Sequence, residues 1–394
     1  MSEKIPKGWK WVKLGEVAEI VKDIVNPNEF DDLNYIGLEH IGQENLRIIS
    51  IGKSREVNST KYLFKPNDIL FGKLRPYFRK VVKPKFNGIC STDIWVFRAK
   101  QGYDQNYLYY FLANWDFVNL ASSGEGGTRM PRADWNYLKQ TEWIFPPLPE
   151  QKAIAEVLSS IDDKIDLLHR QNKTLEKIAM TLFKQWFIEP TKDGLPEGWE
   201  ERGLGEIFDY LEGPGIRNWQ YSTRGIPFLN IRLIENGEIN IKNANFISEE
   251  EAFGKYKKFL LQEGDVVIST SGTLGKYAIV RKYHLPLLLN TSIIRFRPKN
   301  KNYRIFMYLY LKSREFKEYL ESSADGSVQA NFGPTHLRAI KIIVPPSHAL
   351  EKFEKIISPL YEKFDNNFFQ IKSLEKLRDT LLPKLMSGEV RVRF

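Results

Sequence analysis

At 394 residues the chain is long enough for two or three domains, each burying its own core without disulfides or metals. Its 42% hydrophobic and 13% aromatic residues argue against disorder, and no stretch approaches the roughly 20 uninterrupted apolar residues of a membrane span. A net charge of +9 and a pI near 9.2 suggest a polyanionic partner, a class that includes nucleic acid, acidic proteins and membrane surfaces.

The opening Met1-Ser2-Glu3-Lys4-Ile5-Pro6 has no apolar signal core, and the single cysteine, Cys90, has no partner for an internal disulfide. Both features predict a cytoplasmic protein. Next comes Pro6-Lys7-Gly8-Trp9, then Leu14-Gly15-Glu16. Short β-rich runs at Asp68 to Phe71 and Ile94 to Arg98 are separated by Gly, Pro and Asn turns. Between Phe71 and Thr92 lie six Lys or Arg and no acidic residue. There Gly72-Lys73-Leu74-Arg75-Pro76-Tyr77 combines a flexible residue, two cations and an aromatic, so Lys73, Arg75, Tyr77, Arg79 and Lys80 are expected to contact DNA phosphates. Asn106 to Ala121 carries apolar residues at helical spacing. The loop Gly126-Gly127-Thr128-Arg129-Met130-Pro131-Arg132 offers Thr128, Arg129 and Arg132 as base or backbone contacts, arginine being suited to the two acceptors of guanine.

After Pro149, Ile154, Ile161, Leu168, Leu175 and Leu182 recur every seven residues, with Leu158, Ile165, Asn172, Ala179 and Trp186 four positions further on. This is coiled-coil spacing and predicts a first long helix over 150–187.

From Leu195 the chain repeats itself. Pro196-Glu197-Gly198-Trp199 and Leu204-Gly205-Glu206 return at an offset of 190 from the opening motif. Glu263-Gly264-Asp265 answers Pro66-Asn67-Asp68, and Ser292 to Arg297 answers Asp93 to Arg98, at offsets of 197 to 199. The basic segment returns as Val266 to Arg314, with ten cations and no acidic residue, and Arg304 to Ser322 is again helical. In it Ser271, Thr273 and Lys276 of Ser271-Gly272-Thr273-Leu274-Gly275-Lys276 are expected phosphate contacts. That segment is too short for a nucleotide phosphate loop, and Tyr277 stands where such a loop needs Ser or Thr. The second variable loop is Gly326-Ser327-Val328-Gln329-Ala330-Asn331-Phe332, whose Gln329 and Asn331 suit adenine. A second seam follows in Phe353, Leu360, Asn367, Leu374 and Leu381. The expected division is therefore a recognition domain over 1–149, a helix over 150–187, a second recognition domain over 188–346, and a helix with tail over 347–394.

Connectivity predicts how these parts lie. The connector between Phe187 and Leu195 spans at most about 25 Å, whereas a helix of some 38 residues is about 57 Å long. The second helix must run back to pair with the first, so the expected fold is two mixed α/β domains in a pseudo-two-fold arrangement, separated by two antiparallel coiled-coil helices. One chain with two diverged copies would read two unrelated DNA half-sites, with Asn172 and Asn367 setting the helical register.

The repeated Pro-x-Gly-Trp-x(4)-Leu-Gly-Glu opening, the Pro146-Pro147-Leu148-Pro149-Glu150-Gln151-Lys152 lead-in and the ending Leu381-Leu382-Pro383-Lys384-Leu385-Met386-Ser387-Gly388-Glu389-Val390 together resemble the specificity subunits of type I restriction-modification enzymes. The resemblance covers the whole chain. It implies a non-catalytic, prokaryotic, DNA-binding subunit with two target recognition domains, assembled with two methyltransferase subunits and, in the full complex, with restriction subunits. It also implies adenine methylation with S-adenosylmethionine held by the methyltransferase, and cleavage with ATP and Mg²⁺ held by the restriction subunit, so that no cofactor binds this chain. One departure stands out: Ser347-His348-Ala349-Leu350 replaces the Leu148-Pro149-Glu150-Gln151 of the first copy. The chain carries no Asn-Pro-Pro-aromatic, Asp-Pro-Pro-Tyr, Phe-x-Gly-x-Gly or helicase signature, which argues against a DNA-modifying enzyme. Its five histidines, His40, His169, His284, His336 and His348, show no metal spacing. A stand-alone DNA-binding or scaffold protein is the alternative.

Overall fold

The computed structural model describes residues 5–123, 131–235, 237–272, 274–324 and 332–393. It divides into two compact units, one of Met1–Arg170 with Asn367–Phe394 and the other of Gln171–Asn366.

In the first unit, Ala18–Val21, Ile94–Ala99, Ile69–Gly72 and Val81–Val82 form an antiparallel sheet in that order. Its strands are apolar almost throughout because both faces are covered. Ile69, Phe71, Trp95 and Phe97 point to the cluster that includes the helix Gln105–Ala113, while the alternate residues Leu70, Ile94 and Val96 point to Ile36, Phe64 and Cys90 of a second, five-stranded sheet. The two-residue period of a strand thus sorts one sequence into two cores. Lys10–Lys13 pairs with Glu142–Phe145, tying the start of the domain to its end.

The second unit repeats the plan. Phe208–Glu212, Ile293–Pro298, Val266–Ser269 and Tyr277–Ile279 form a sheet of the same order, and Val266, Ile268, Ile294 and Phe296 face one core while Val267, Ala278 and Ile293 face another. A parallel pair recurs in the neighbouring sheet, Tyr35 with Ile89 in the first unit and Phe228 with Leu288 in the second.

Each expected helix after the sheet is two helices. Gln105–Ala113 and Trp115–Ser122 break at Asn114, and Arg304–Lys312 and Arg314–Ala324 break at Ser313. Both residues are extended, with ψ of 141° and 161°, and begin the next helix: Asn114 O accepts from Val118 N, and Ser313 Oγ from Phe316 N at 3.3 Å. Ser313 thus caps through its side chain and Asn114 through its carbonyl alone, and apolar spacing registers neither.

The long helices run from Leu148 to Phe183 and from Ser347 to Ser387. In the first unit they pair antiparallel: Ile154 and Leu158 share a core with Leu382 and Leu385, and Ile161, Ile165 and Leu168 share one with Ile371, with Leu374 and Leu381 half-buried beside it. In the second unit Ala179, Phe183 and Phe187 pack with Phe353 and Ile357, and Leu182 and Leu360 are half-buried beside them, as Leu175 is on its own helix. Asn172 is buried and donates to Phe364 O at 3.3 Å, and Asn367 is buried in the first unit.

The motifs at the ends of the first domain meet at one carboxylate. Glu150, fully buried, accepts from Trp9 Nε1 at 3.0 Å and from the Arg391 guanidinium, while Gln151 joins Asp104 N to Pro146 O. In the second copy Ala349 and Leu350 stand at these positions. Leu350 is core, and the Trp199 ring packs 6.1 Å from Phe187. The departure in the second lead-in thus exchanges a buried polar lock for an apolar one.

Candidate nucleic-acid interface

The hairpin that follows the strand Ile69–Gly72 is fixed by main-chain bonds. Gly72 N donates to Lys80 O, Lys73 N to Asp93 O, Ala133 N to Lys73 O, and Arg75 N to Pro131 O at 2.8 Å. Leu74 bridges Arg132. Two segments far apart in sequence, Lys73 to Lys80 and Pro131 to Ala133, therefore meet at one end of one sheet.

The second unit builds the same frame. Ser269 N donates to Lys276 O, Thr270 N to Ser292 O, and Phe332 N to Thr270 O. Ser269 Oγ accepts from Lys276 N at 2.9 Å, and Gly272 and Gly275, at φ of 66° and 79°, make the tight turn. This segment is a turn between antiparallel strands with no helix at its end, which sets it apart from a phosphate loop.

The expected contacts sort by exposure. Tyr77 is 41% exposed with its ring against Phe78, and Arg132 stands out beside Asp93 at 3.4 Å. Lys73, Arg75, Ser271 and Lys276 are half-buried, and Arg75 Nε, buried, has no hydrogen-bond partner among the described residues. Arg79 is a correction. It is 1% exposed, donates to Ala113 O at 2.6 Å, pairs with Asp379 at 3.4 Å and lies over the Trp115 ring. Burial pushes its guanidinium below the ordinary value, opposed by Asp379. Lys80 is likewise turned inward, onto Leu38 O. Thr128, Arg129, Thr273, Gln329 and Asn331 lie outside the described residues.

The acid-free stretch of the second unit is also less available than its charge implies, because its cations draw carboxylates from elsewhere in the chain. Arg295 pairs with Asp209, Lys312 with Glu176, and Arg281 with both Glu238 and Asp365. Arg297 grips Asp265 through two bonds of 2.6 and 2.7 Å, as Arg98 grips Asp68 at the same two distances in the first unit. Each of these aspartates also accepts a main-chain N–H, from Lys65 and from Gln262, and closes the turn before the strand that feeds the hairpin. The Asp and Arg were visible as repeat markers, but their contact was not.

Among the described residues no helix is long and apolar enough to cross a membrane, and no group of three His, Cys, Asp or Glu is placed to hold a metal ion.

Comparison with known proteins agrees with this plan. Residues 6–177 and 196–376 each match the family model described as type I restriction modification DNA specificity domain. The chain is 32% identical over 310 residues to the type I restriction enzyme MjaIX specificity subunit of Methanocaldococcus jannaschii, covering 74% of this chain and 71% of that one. It is 25% identical to the MjaVIII specificity subunit of the same organism, over 99% of this chain and 95% of that one. The fold is similar to the crystal structure of the type I restriction-modification system S subunit from M. genitalium, with a TM-score of 0.52 and 21% identity, covering 98% and 97% of the two chains.

Proposed function

The chain belongs to the type I restriction-modification DNA specificity family, and on that premise we propose that each of its units reads one half of a split DNA target. The hairpin and the converging loop form the reading surface. Lys73, Arg75, Tyr77 and Arg132 contact DNA in the first unit, and Ser271 and Lys276 in the second, together with the loop residues Thr128, Arg129, Thr273, Gln329 and Asn331.

The observation that carries this reading is one backbone frame built twice with different residues on it. Lys73 to Ala133 and to Asp93, and Thr270 to Phe332 and to Ser292, are the same links, yet Gly-Gly-Thr-Arg stands in one loop where Gly-Ser-Val-Gln stands in the other. A shared frame with diverged tips fits two readers of unlike sequences better than a symmetric reader of a palindrome.

The long helices set the separation of the half-sites and dock two methyltransferase subunits. A helix of 36 residues is about 54 Å long, against about 34 Å for one turn of DNA. The chain contributes no catalytic group. S-adenosylmethionine is held by the methyltransferase subunits, and ATP and Mg²⁺ by the restriction subunits.

The test is coexpression with the methyltransferase subunit of the same host, followed by single-molecule mapping of methylated adenines. The expected result is a split motif with a fixed gap that disappears when this chain is omitted. Failure to copurify, or methylation unchanged without the chain, would favour a DNA-binding scaffold instead.

A further inference from the structure

Trp219 is 80% exposed, the most exposed of the large apolar side chains among the described residues, ahead of Ile24 at 67%. A mobile surface would explain such exposure, but the turn that carries Trp219 is anchored on both sides. Before it, Ile216 N donates to Oδ1 of the buried Asn290 at 3.3 Å, and Asn290 Nδ2 donates to Asn230 Oδ1 at 2.8 Å. Gly213 lies so close to this strand that a Cβ there would sit 2.0 Å from Asn290 O. After it, the buried Gln220 accepts from Arg217 N at 3.1 Å and donates to Glu251 at 2.8 Å and to Tyr256 OH at 3.0 Å. The indole is therefore displayed on a rigid support.

Its place is beside the reading frame of the second unit. Thr291 N donates to Pro214 O, Thr270 N to Ser292 O, and Phe332 N to Thr270 O. Main-chain bonds thus join the loop that carries Trp219 to the strand end from which the hairpin and the variable loop depart.

Charge identifies what covers the indole. From Gly213 to Gly225 the loop has Arg217 and Arg224 and no acidic residue, and both arginines are exposed. The corresponding connection of the first unit, Lys22 to Leu33, has one lysine and the acids Asp23, Glu29, Asp31 and Asp32. An exposed indole flanked by two exposed arginines suits a duplex, in which apolar wedges part base steps while cations meet phosphates. The acidic counterpart in the first unit would be repelled by the same duplex.

We propose that Trp219 is a wedge that enters the duplex and unstacks one base step in the half-site read by the second unit, with Arg217 and Arg224 on the adjoining phosphates. The inference rests on the reading of the chain as a two-site DNA recognition subunit. It adds a contact confined to one half-site.

The complex copurified with its methyltransferase subunits is titrated with duplexes carrying the mapped motif, in which 2-aminopurine replaces one base at a time across both half-sites. Apart from the positions where the methyltransferase extrudes its target adenine, wild type should raise the emission at one step, in one half-site only. Trp219→Ala should abolish that rise and weaken motif binding by about tenfold, the scale of one lost aromatic–base contact. Trp219→Phe should keep the rise, and binding to a random duplex should be unchanged in both variants. An equal rise at that step with Trp219→Ala, or no rise with wild type at any position other than the extruded adenines, overturns the wedge. So does a loss confined to copurification, which would make Trp219 a protein contact. Absence of any split methylation motif with wild type would overturn the recognition reading itself, and is seen before any variant is made.

Discussion

Replacing Arg79 by alanine separates two uses of a cation that its position in a basic segment cannot distinguish. The guanidinium is almost wholly buried, and its Nε is bonded to the carbonyl of Ala113, the last residue of its helix, where positive charge is favourable. Truncation strands that carbonyl and removes a side chain packed on Trp115, 5.2 Å from its ring. The Asp379 side chain is 36% exposed and can regain water, so the loss stays below that of a fully buried pair. The sum is about 3 kcal/mol. For a domain of about 200 residues this lowers the melting temperature by roughly 6–12 °C. Lys73, half-buried on the hairpin, is the control. Lys73→Ala should leave melting unchanged and reduce the salt dependence of DNA binding by about one phosphate contact, whereas Arg79→Ala should do the reverse. Calorimetric melting and binding titrations at several salt concentrations measure both. An Arg79→Ala protein that melts like wild type but loses one phosphate's worth of salt dependence would refute the structural role.

Two further outcomes follow from burial. Burial alone would raise the Glu238 carboxyl, but the hydrogen bond from His284 at 2.6 Å and the charge of Arg281 outweigh it and hold the group below its ordinary 4.5. A depressed carboxyl contributes stability above the unfolded value and loses it as pH falls through the folded value. Glu238→Gln should therefore be less stable at pH 7 and show a shallower decline below about pH 4.5 in melting temperature against pH, and parallel curves would count against it. Cys90 is fully buried, and burial pushes its thiol far above the ordinary range. Ellman's reagent at pH 8 should label it only on unfolding, and rapid labelling of the native chain would contradict the packing around Ile36 and Phe64.

What was legible in the chain was whatever the two copies hold in common. Asp68 and Arg98, and Asp265 and Arg297, stood out as repeated residues because each pair closes the same turn, its buried aspartate held by the arginine and by a main-chain N–H. Trp9 and Glu150 belonged to recognisable motifs because they lock the two ends of a domain together. The strands were legible because both faces of the central sheet are covered, which leaves unbroken apolar runs such as Ile69 to Phe71 and Val266 to Ile268. Charge counting was the weaker guide. It records that Arg79, Lys80, Arg281 and Arg295 are cations but not that each is turned inward, because Asp379, Leu38 O, Glu238 and Asp209 come from segments distant in sequence.

The repeat is silent on what the two copies do not share. A residue with no counterpart in the other copy leaves no trace in it, and Trp219 is such a residue: between the equivalent strands the first unit has Lys22 to Leu33, which includes the strand Ile24–Val25, is acidic and carries no tryptophan. In a protein that reads two unlike half-sites, the common frame must be spent on holding the hairpin and loop in place, since whatever is identical in both copies cannot distinguish one half-site from the other. On the proposed reading, discrimination lies where the copies disagree, in the sequences after Ser123 and Ala324 and in the connection that carries Trp219. The repeat locates the scaffold, and departures from it locate the residues proposed to choose a sequence.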